Sequence, residues 1–455
     1  MVAQTGAAQR RGHAVVAGAG VAGLLAASVL AGFFSRVTVV ERDAAEPGPL
    51  ARRGVPQGRH AHALLPRGLA AVESLLPGFS RTAIRRGAVA ANAASDVSWG
   101  LGGVRLVAAP ETLPVIVSSR PFLEEEIRRR VACLENVTVA DRSRVSDFVL
   151  HGPSVVGVMV QRDTVQTADR LDAELVVDAT GRASRLPAWL AAHGFVPPPE
   201  EAMDVDVGYA TARYAADPRR LGGRRALLVG ATAGCSRGGV VHAVEGDTIE
   251  VSLTGYRDEH PPATEAGFIA HAASLALPDI HRLIHDAKPC SGIATFRVAA
   301  TVRRHYEKLR NPPSGLLAVG DAVCAFNPVF AQGMTVAALE AVALRDALHE
   351  AAARPLNGAF CRRFHRRAAA ALGPAWQMAR GNDLLVPHLA RHASLVDRLM
   401  SRWIGRVLAA GAHDPEVARR FMRIASLVDG PGALFAPALV ARAAWARRRE
   451  ATSFA

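Results

Sequence analysis

The fold of this chain is decided near its start by the stretch HAVVAGAGVAGLLAASVL, residues 13–30. An apolar run before the glycines predicts a buried strand, and the apolar run after them predicts a helix. Gly18, Gly20 and Gly23 form a G-x-G-x-x-G turn between the two. The first glycine permits the bend, the second lets the backbone approach a pyrophosphate, and the third lets helix and strand pack closely. Because free N–H groups at a helix start attract phosphate, the stretch predicts a phosphate-binding loop.

A second strand is predicted over residues 36–40, and it ends at Glu41. An acidic side chain about 20 residues beyond the glycine turn contacts a ribose hydroxyl in dinucleotide sites, and it disfavours a 2′-phosphate. We therefore expect Glu41, with the adjacent Arg42, to bind the cofactor. The alternative is an ordinary glycine turn with a helix-flanking acid that carries no cofactor.

Another cofactor segment begins at Gly315 and reads GLLAVGDAV, a buried-type strand that runs into a Gly-Asp pair and precedes a predicted helix. Here the chain resembles the FAD-dependent monooxygenases of the p-hydroxybenzoate hydroxylase type, whose GD motif has the same order of strand, Asp, Pro, Gly and helix. In that family the Asp binds the ribityl hydroxyls, and the Pro loop and helix N-terminus lie against the flavin ring. The resemblance implies cofactor-binding roles for Asp321, Pro328, Gly333 and Met334. A helix N-terminus also stabilises negative charge on a reduced flavin.

Two further segments match the same family. The segment DATGR, residues 178–182, resembles the middle motif that lies near the pyrophosphate, usually written with Asp-Gly. The glycine is displaced here, so the role of Asp178 in admitting a nicotinamide donor is an open question. Arg120 matches a family arginine that precedes a helix and contacts the cofactor. A strand-end turn and a surface arginine are the respective alternatives.

A closer resemblance lies in RGVPQGRHAHALLPRG from Arg53, combined with WLAAHGF, DVDVGYATARY and NPVFAQGM further along the chain. These segments are similar to bacterial FAD epoxidases of polyether biosynthesis and related actinobacterial monooxygenases, with squalene epoxidase as a more distant relative. Arg59 in the first segment is a further cofactor-binding candidate. Where such relatives carry Tyr-Gly before Gln-Gly-Met, this chain has Phe330 and Ala331, whose methyl group would lie close to the flavin.

The motif order predicts an α/β fold with a Rossmann-type FAD-binding domain made of residues 1–190 and 291–350. Alternating strand-like runs separated by glycine turns predict an inserted antiparallel sheet, the substrate domain, over residues 191–290. Residues 351–455 are rich in Ala, Arg and Leu with helical periodicity, which predicts a helical C-terminal region. Breaks are expected at Pro374, Pro387, Gly411 and residues 430–432.

Composition limits the class of protein. The 455 residues are 50% hydrophobic and can build a large core, and no apolar run is long enough for a membrane span or a secretory signal. The formal charge of +13 comes from arginines scattered over predicted helix faces, so we do not expect a nucleic-acid partner. Five widely spaced cysteines indicate neither a disulfide framework nor a metal site. A cytoplasmic enzyme is the expectation.

The resemblance implies a monooxygenase with noncovalent FAD, transient NADH or NADPH, and dioxygen, with a separate flavin reductase left open as the electron source. We favour epoxidation of an olefin in an apolar polyketide or terpenoid substrate, because an olefin needs no protein base, whereas a phenol profits from one. His60, His62, Tyr209 and His242 are candidate polar groups near the site, and none is assigned as catalytic. Aromatic hydroxylation is the main alternative, followed by prenyl-chain reduction and non-enzymatic flavin binding. Halogenation is disfavoured because Trp99 stands alone, without a W-x-W-x-I-P segment.

Overall fold

A computed structural model describes residues 10–44, 48, 52, 56–163, 165, 167–215 and 221–453 of the chain. The first residues of the epoxidase-like segment, Arg53 to Val55, lie outside the described residues. The strands of the described residues are β1 (Arg11–Ala17), β2 (Phe34–Val40), β3 (Val89–Asn92), β4 (Val97–Leu101), β5 (Val104–Arg105), β6 (Pro114–Val117), β7 (Val137–Ala140), β8 (Ser143–His151), β9 (Ser154–Arg162), β10 (Ala168–Asp172), β11 (Leu175–Asp178), β12 (Glu200–Met203), β13 (Val207–Ala215), β14 (Ala226–Val229), β15 (Arg237–Val244), β16 (Thr248–Tyr256), β17 (Ala294–Val298), β18 (Thr301–Arg304), β19 (Leu316–Ala318) and β20 (Cys324–Ala325).

The helices of the same residues are α1 (Val21–Leu30), α2 (Pro66–Leu75), α3 (Phe79–Arg85), α4 (Arg120–Ala132), α5 (Leu186–Ala192), α6 (Glu265–Ala273), α7 (Asp279–Ile284), α8 (Gly333–Ala351), α9 (Gly358–Asp383), α10 (Pro387–Ala390), α11 (Leu395–Gly411), α12 (Pro415–Ala425) and α13 (Pro437–Ser453). Short 3₁₀ turns at Pro56–Arg59, Gly320–Ala322 and Pro328–Phe330 lie in the segments of interest. Within the described ranges, no helix is both long and apolar enough to cross a membrane.

A five-stranded parallel sheet forms the first layer, in the order β19-β11-β1-β2-β7. Its central strand β1 is apolar on both faces, as a parallel sheet covered on both sides requires. Ala14 and Val16 pack with α1, α4 and α8, whereas Val15 packs on the opposite side with β9 and α9. Because all five strands run the same way, their carboxyl ends lie at one edge, where ligands bind in such sheets. The predicted α/β fold is confirmed.

A seven-stranded sheet in the order β17-β13-β16-β15-β14-β4-β5 forms the second layer. Its central pairs are antiparallel, as the alternating runs predict, and only β14 and β4 pair in parallel. One face packs against Phe268 of α6 and Ile280 of α7. The predicted domain boundaries stay a prediction. The strands β4, β5 and β17 join this sheet although they lie outside residues 191–290.

Helices α9 to α13 form the C-terminal region. Pro387 begins α10, Gly411 ends α11, and Pro431 begins a 3₁₀ turn, in agreement with the expected breaks. The expected break at Pro374 is wrong, because α9 continues through it. A proline inside a helix costs about 3 kcal/mol. Leu372 and Trp376 on either side of Pro374 are buried, and burial of each large side chain stabilises by about 1.5–3 kcal/mol, which outweighs that cost.

Candidate functional site

The glycine turn between β1 and α1 has the geometry that its sequence predicts. Gly18 has φ +102°, and a Cβ there would lie 2.5 Å from the carbonyl oxygen of Ala179. A Cβ on Gly23 would lie 1.9 Å from the carbonyl oxygen of Gly18, so only glycine permits this packing. A Cβ on Gly20, in contrast, would meet no described atom within 4 Å. The first turn of α1 holds no acidic residue, and no side chain in the described part of the chain caps it. Its N–H groups are therefore free to bind an anion.

Glu41 lies at the carboxyl end of β2, beside the glycine turn, and is 6% exposed. Its carboxylate accepts the N–H of Ala19 at 2.7 Å and the N–H of Asp43 at 3.0 Å. Arg52 Nη1 lies 3.0 Å from Glu41 Oε2. Burial opposes ionisation of Glu41, but Arg52 and the backbone donors outweigh it, so its pKa lies below the usual value. Arg42 lies beside Asp43 with its side chain 62% exposed.

Two arginines that the sequence motifs did not indicate, Arg52 and Arg128, lie beside the same turn. Arg52 and Arg128 each donate to the carbonyl oxygen of Ala19 at 3.2 Å. Arg52 Nε also donates to Glu124 Oε1 at 2.7 Å. Arg120, at the start of α4, lies 3.6 Å from Glu124, and its buried Nε has no hydrogen-bond partner among the described residues. The sequence does contain one indication of this cluster, because Arg120, Glu124 and Arg128 are spaced by four residues and so share one face of α4.

In the DATGR segment, Asp178 supports the turn itself. The carboxylate is 1% exposed. It accepts the N–H and hydroxyl of Thr180 at 3.0 and 2.6 Å and the hydroxyl of Ser184 at 2.5 Å. Arg182 extends further, with Nε 3.5 Å from Asp321 Oδ2, and it also donates to the carbonyl oxygen of Phe326. The side chain of Arg182 therefore reaches Asp321 of the GD motif, whereas Asp178 contacts the GD segment through its backbone, with its carbonyl oxygen accepting the N–H of Val319 at 3.0 Å.

The GD turn lies between α1 and α8. Gly320 has φ +63°, and a Cβ there would lie 2.6 Å from the Cβ of Ala22 in the first turn of α1. The N–H of Gly320 donates to Glu340 Oε2 of α8 at 2.6 Å. Burial raises the pKa of Glu340 to about 8. A Cβ on Gly333 would lie 3.9 Å from Asp321 Oδ1, so Asp321 lies beside the N-terminus of α8.

A buried polar network holds the loop that precedes Pro328. Asn327 is fully buried, and its Oδ1 accepts the hydroxyl of Tyr209 at 2.9 Å. Its Nδ2 donates to Asp383 Oδ1 at 2.7 Å and to the Tyr256 hydroxyl oxygen at 3.0 Å. Burial raises the pKa of Asp383 to about 7. The loop is thus tied to two strands of the second sheet and to the end of α9.

Ala331 follows this loop in a left-handed conformation, with φ +52°. Glycine adopts the left-handed backbone conformation readily, whereas alanine adopts it only at an energetic cost. A glycine in the resembled epoxidases would adopt this conformation without strain. The alanine at position 331 therefore adds a strained backbone conformation as well as a methyl group.

The loop that starts at Pro56 lies on the polar face of the second sheet. His60 Nδ1 lies 2.8 Å from Thr211 Oγ1, and His62 Nδ1–H donates to the carbonyl oxygen of His60 at 2.7 Å. Burial, followed by the nearby Arg59, lowers the pKa of His60 to about 4. Burial also holds the pKa of His62 well below its usual value and lowers that of His242 to about 4. These histidines are therefore neutral at pH 7.

Most of the predicted cofactor residues lie at the carboxyl edge of the parallel sheet. The structure brings together Gly18, Gly20, Gly23, Glu41, Arg120, Asp178, Asp321, Gly333 and Met334, with Pro328 in the adjoining loop. The side chain of Arg42 points to solvent, and Arg59 is exposed on its 3₁₀ turn. Cofactor binding by any of these residues stays a prediction.

The protein Rv3254 of Mycobacterium tuberculosis is 34% identical to this chain over 434 residues, which are 92% of this chain and 90% of that protein. This chain belongs to the Rv3254 family. No protein-family model matches the chain.

Solved structures resemble this Rv3254-family protein over nearly its whole length. The flavin-dependent brominase Bmp2 superposes with a TM-score of 0.66 at 16% identity, covering 97% of this chain and 99% of Bmp2. The p-nitrophenol 4-monooxygenase PnpA of Pseudomonas putida superposes with a TM-score of 0.65 at 18% identity, covering 93% of this chain and 99% of PnpA. The Rv3254-family protein therefore has the fold of the FAD-dependent monooxygenases and halogenases. The predicted resemblance to monooxygenases of the p-hydroxybenzoate hydroxylase type is confirmed at the level of the fold, and the closer resemblance to epoxidases stays a prediction.

Proposed function

We propose that this protein is an FAD-dependent monooxygenase that uses NADH or NADPH and dioxygen. One observation carries the proposal. The uncapped N-terminus of α1, the Glu41 carboxylate and Asp321 at the start of α8 lie along one sheet edge, although they come from distant parts of the chain. That arrangement suits a dinucleotide whose pyrophosphate lies at the glycine turn, whose ribose lies at Glu41 and whose ribityl chain lies at Asp321.

The residues around the glycine turn are suited to FAD in both space and charge. The open space at Gly20 leaves room for close approach of a pyrophosphate, and Arg52, Arg120 and Arg128 supply positive charge beside it. Arg120 lies 3.6 Å from Glu124 beside this turn, and its buried Nε has no hydrogen-bond partner among the described residues. We also propose cofactor contacts by Arg42, Arg59 and Asp178, which the sequence motifs predict. Pro328, Gly333 and Met334 would line the flavin end. Bound FAD, once reduced by two electrons from NAD(P)H, would supply the activation of dioxygen and the transfer of one oxygen atom to the substrate, the other leaving as water.

The side chains around the loop at Pro56 support an olefin as the oxidised group. Deprotonation of a phenol needs a base with a suitable pKa. His60, His62 and His242 are neutral with lowered pKa values, and burial raises the pKa of Tyr209 and Tyr256 well above the usual value. An olefin requires no such base. We therefore propose epoxidation of a carbon–carbon double bond in an apolar polyketide or terpenoid substrate.

Aromatic hydroxylation is the second candidate, and one observation favours it. Asp383 has a pKa of about 7, and its buried Oδ2 has no hydrogen-bond partner among the described residues. A carboxylate with these properties is suited to accept a proton through the Tyr256 hydroxyl, which donates to its Oδ1 at 3.2 Å. Halogenation is a further outcome to test, because Bmp2 shares the fold.

One experiment tests these readings together. The flavin released from purified protein by acid is identified, and NAD(P)H oxidation is then followed with panels of polyenes and phenols under ¹⁸O₂, with and without bromide. We expect released FAD, stimulation by polyenes and one ¹⁸O in an epoxide or its cyclised product. Absence of flavin overturns the cofactor assignment. A hydroxylated phenol or a brominated product replaces epoxidation by the corresponding reaction.

A further inference from the structure

His60 lies on the face of the second sheet that is turned towards the loop at Asn327. The residue is 4% exposed, and its ring centroid lies 5.8 Å from those of Tyr209 and Phe296. The hydroxyl of Tyr209 contacts Asn327, which directly precedes Pro328. His60 is therefore separated by one aromatic side chain from the loop that would adjoin the flavin.

A chain of hydrogen bonds fixes which ring nitrogen of His60 carries hydrogen. The N–H of Ala61 donates to Ser252 Oγ at 2.9 Å, the hydroxyls of Ser252 and Thr211 are bonded to each other, and Thr211 Oγ1 lies 2.8 Å from His60 Nδ1. In one direction Ser252 donates to Thr211, and Thr211 donates to Nδ1. Every hydroxyl hydrogen then has an acceptor.

The reverse direction leaves a hydrogen without a partner. If His60 Nδ1–H donated to Thr211, then Thr211 would either accept from Ser252 as well, which leaves the buried Thr211 hydrogen without an acceptor among the described residues, or donate to Ser252. Ser252 is 2% exposed, and among the described residues its hydroxyl has no other acceptor. A buried hydroxyl hydrogen without an acceptor is disfavoured. We therefore assign Nδ1 of His60 as the acceptor and Nε2 as the nitrogen that carries hydrogen.

The Nε2–H of His60 is thus a preset donor. None of the described residues forms a hydrogen bond with this nitrogen. The lowered pKa of about 4 keeps the ring uncharged at neutral pH. An uncharged donor beside the rings of Tyr209 and Phe296 suits a ligand that is apolar apart from an oxygen acceptor, because a neutral hydrogen bond does not require burying a charge.

We propose that the Nε2–H of His60 donates a hydrogen bond to a carbonyl, ether or hydroxyl oxygen of the substrate, so that the site selects oxygen-bearing over purely hydrocarbon ligands. His60 is a positioning residue in this role, because it binds the substrate without exchanging a proton. The inference rests on the proposed function for the identity of the substrate, but it makes a claim about ligand selection that can be measured without turnover.

The test uses matched ligand pairs and the purified full-length protein. Geranylacetone is compared with the hydrocarbon in which its carbonyl is replaced by CH₂, and 4-propylphenol is compared with propylbenzene. Binding is measured by calorimetry, which does not depend on bound flavin, and flavin content is determined separately. We expect the wild type to bind the oxygen-bearing member of at least one pair about tenfold more tightly, as one hydrogen bond predicts.

Three variants separate the hydrogen bond from packing. His60→Phe keeps a ring without a donor and should reduce the selectivity to within twofold. His60→Gln reaches the Nε2 position with an amide N–H and should restore part of it, whereas the shorter His60→Asn should not. Equal affinity for both members in the wild type, unchanged selectivity in His60→Phe, or no binding of either oxygen-bearing probe overturns the inference. Absence of FAD, by contrast, bears only on the proposed function.

Discussion

The side-chain amide of Asn327 donates to the carboxylate of Asp383 across 2.7 Å, and both residues are buried. The two are 56 positions apart, and their contact joins the loop before Pro328 to the last turn of α9. The C-terminal helical region thereby takes part in the shape of the proposed flavin site. A loop fixed in this way needs little reorganisation when a ligand binds beside it.

Substitution of Asp383 should destabilise the protein and loosen this loop. Asp383→Ala removes the acceptor of the Asn327 amide and the Tyr256 hydroxyl, and leaving two buried donors unpaired costs about 2–5 kcal/mol. Asp383→Asn keeps an acceptor oxygen and should cost about 1 kcal/mol. Urea unfolding measures both effects, and FAD per protein should fall in Asp383→Ala. The control is Asp429→Ala, which breaks a partly exposed pair with Arg423 and should change stability by less than about 1 kcal/mol. Equal losses at the two positions would contradict the role of Asp383.

Glu340 should make stability depend on pH. Its pKa is about 8 in the folded protein, above the ordinary 4.5, because the carboxyl is buried. The folded protein therefore holds a proton that the unfolded chain has released, so the free energy of unfolding falls as pH rises from about 4.5 to about 8, by at most about 1.4 kcal/mol per pH unit. Glu340→Gln removes this contribution and can still accept the Gly320 N–H.

The measurement is urea unfolding of Glu340→Gln and wild type from pH 5 to pH 8. The difference between the two proteins should shift in favour of the variant towards pH 8, whatever other groups titrate in both. Glu350→Gln, at an exposed position of the same helix, serves as the control and should follow the wild type. Parallel curves for Glu340→Gln and wild type would show that the carboxyl is already ionised in the folded state.

Glu41 should govern retention of the cofactor. A charge-assisted hydrogen bond from a ribose hydroxyl is worth about 1.5–3 kcal/mol, so Glu41→Gln should weaken FAD binding by about 10- to 100-fold. The dissociation constant follows from flavin fluorescence during titration of apoprotein. Glu135→Gln, at an exposed site, should bind FAD as the wild type does. Unchanged affinity in Glu41→Gln, or release of FMN from the wild type, would refute the ribose assignment.

Ala331→Gly should relieve backbone strain beside the proposed flavin site. The left-handed conformation costs alanine about 1–2 kcal/mol, and the greater freedom of glycine in the unfolded chain returns about 0.4–1 kcal/mol of that. We expect stability equal to or up to about 1 kcal/mol above wild type, together with an altered ratio of peroxide released to NAD(P)H consumed. Ala70→Gly, at an exposed position inside α2, should instead lose about 1 kcal/mol. A similar loss at both positions, or an unchanged peroxide ratio, would count against this account of Ala331.

The backbone frame of the proposed cofactor site could be predicted from the sequence alone. The turn at Gly18 to Gly23, the strand that ends at Glu41 and the GD turn at Asp321 were predictable because each is a local backbone requirement recorded in neighbouring residues. The helix break predicted at Pro374 was wrong, because burial of Leu372 and Trp376 outweighs the local tendency of proline to end a helix.

The side chains that complete the proposed site could not be predicted from the sequence, because they meet only in the folded chain. Arg52 meets Glu124, Glu340 meets Gly320, and Asp383 meets Asn327 across separations of 72, 20 and 56 residues. Such pairings leave no periodic pattern, because the chain path between the partners, not their local spacing, brings them together. The same holds for His60, because the hydroxyls of Thr211 and Ser252, on two strands of the second sheet, determine which ring nitrogen carries hydrogen. A motif predicts the backbone around a ligand, whereas the charge and donor pattern that faces the ligand emerges only when distant elements pack.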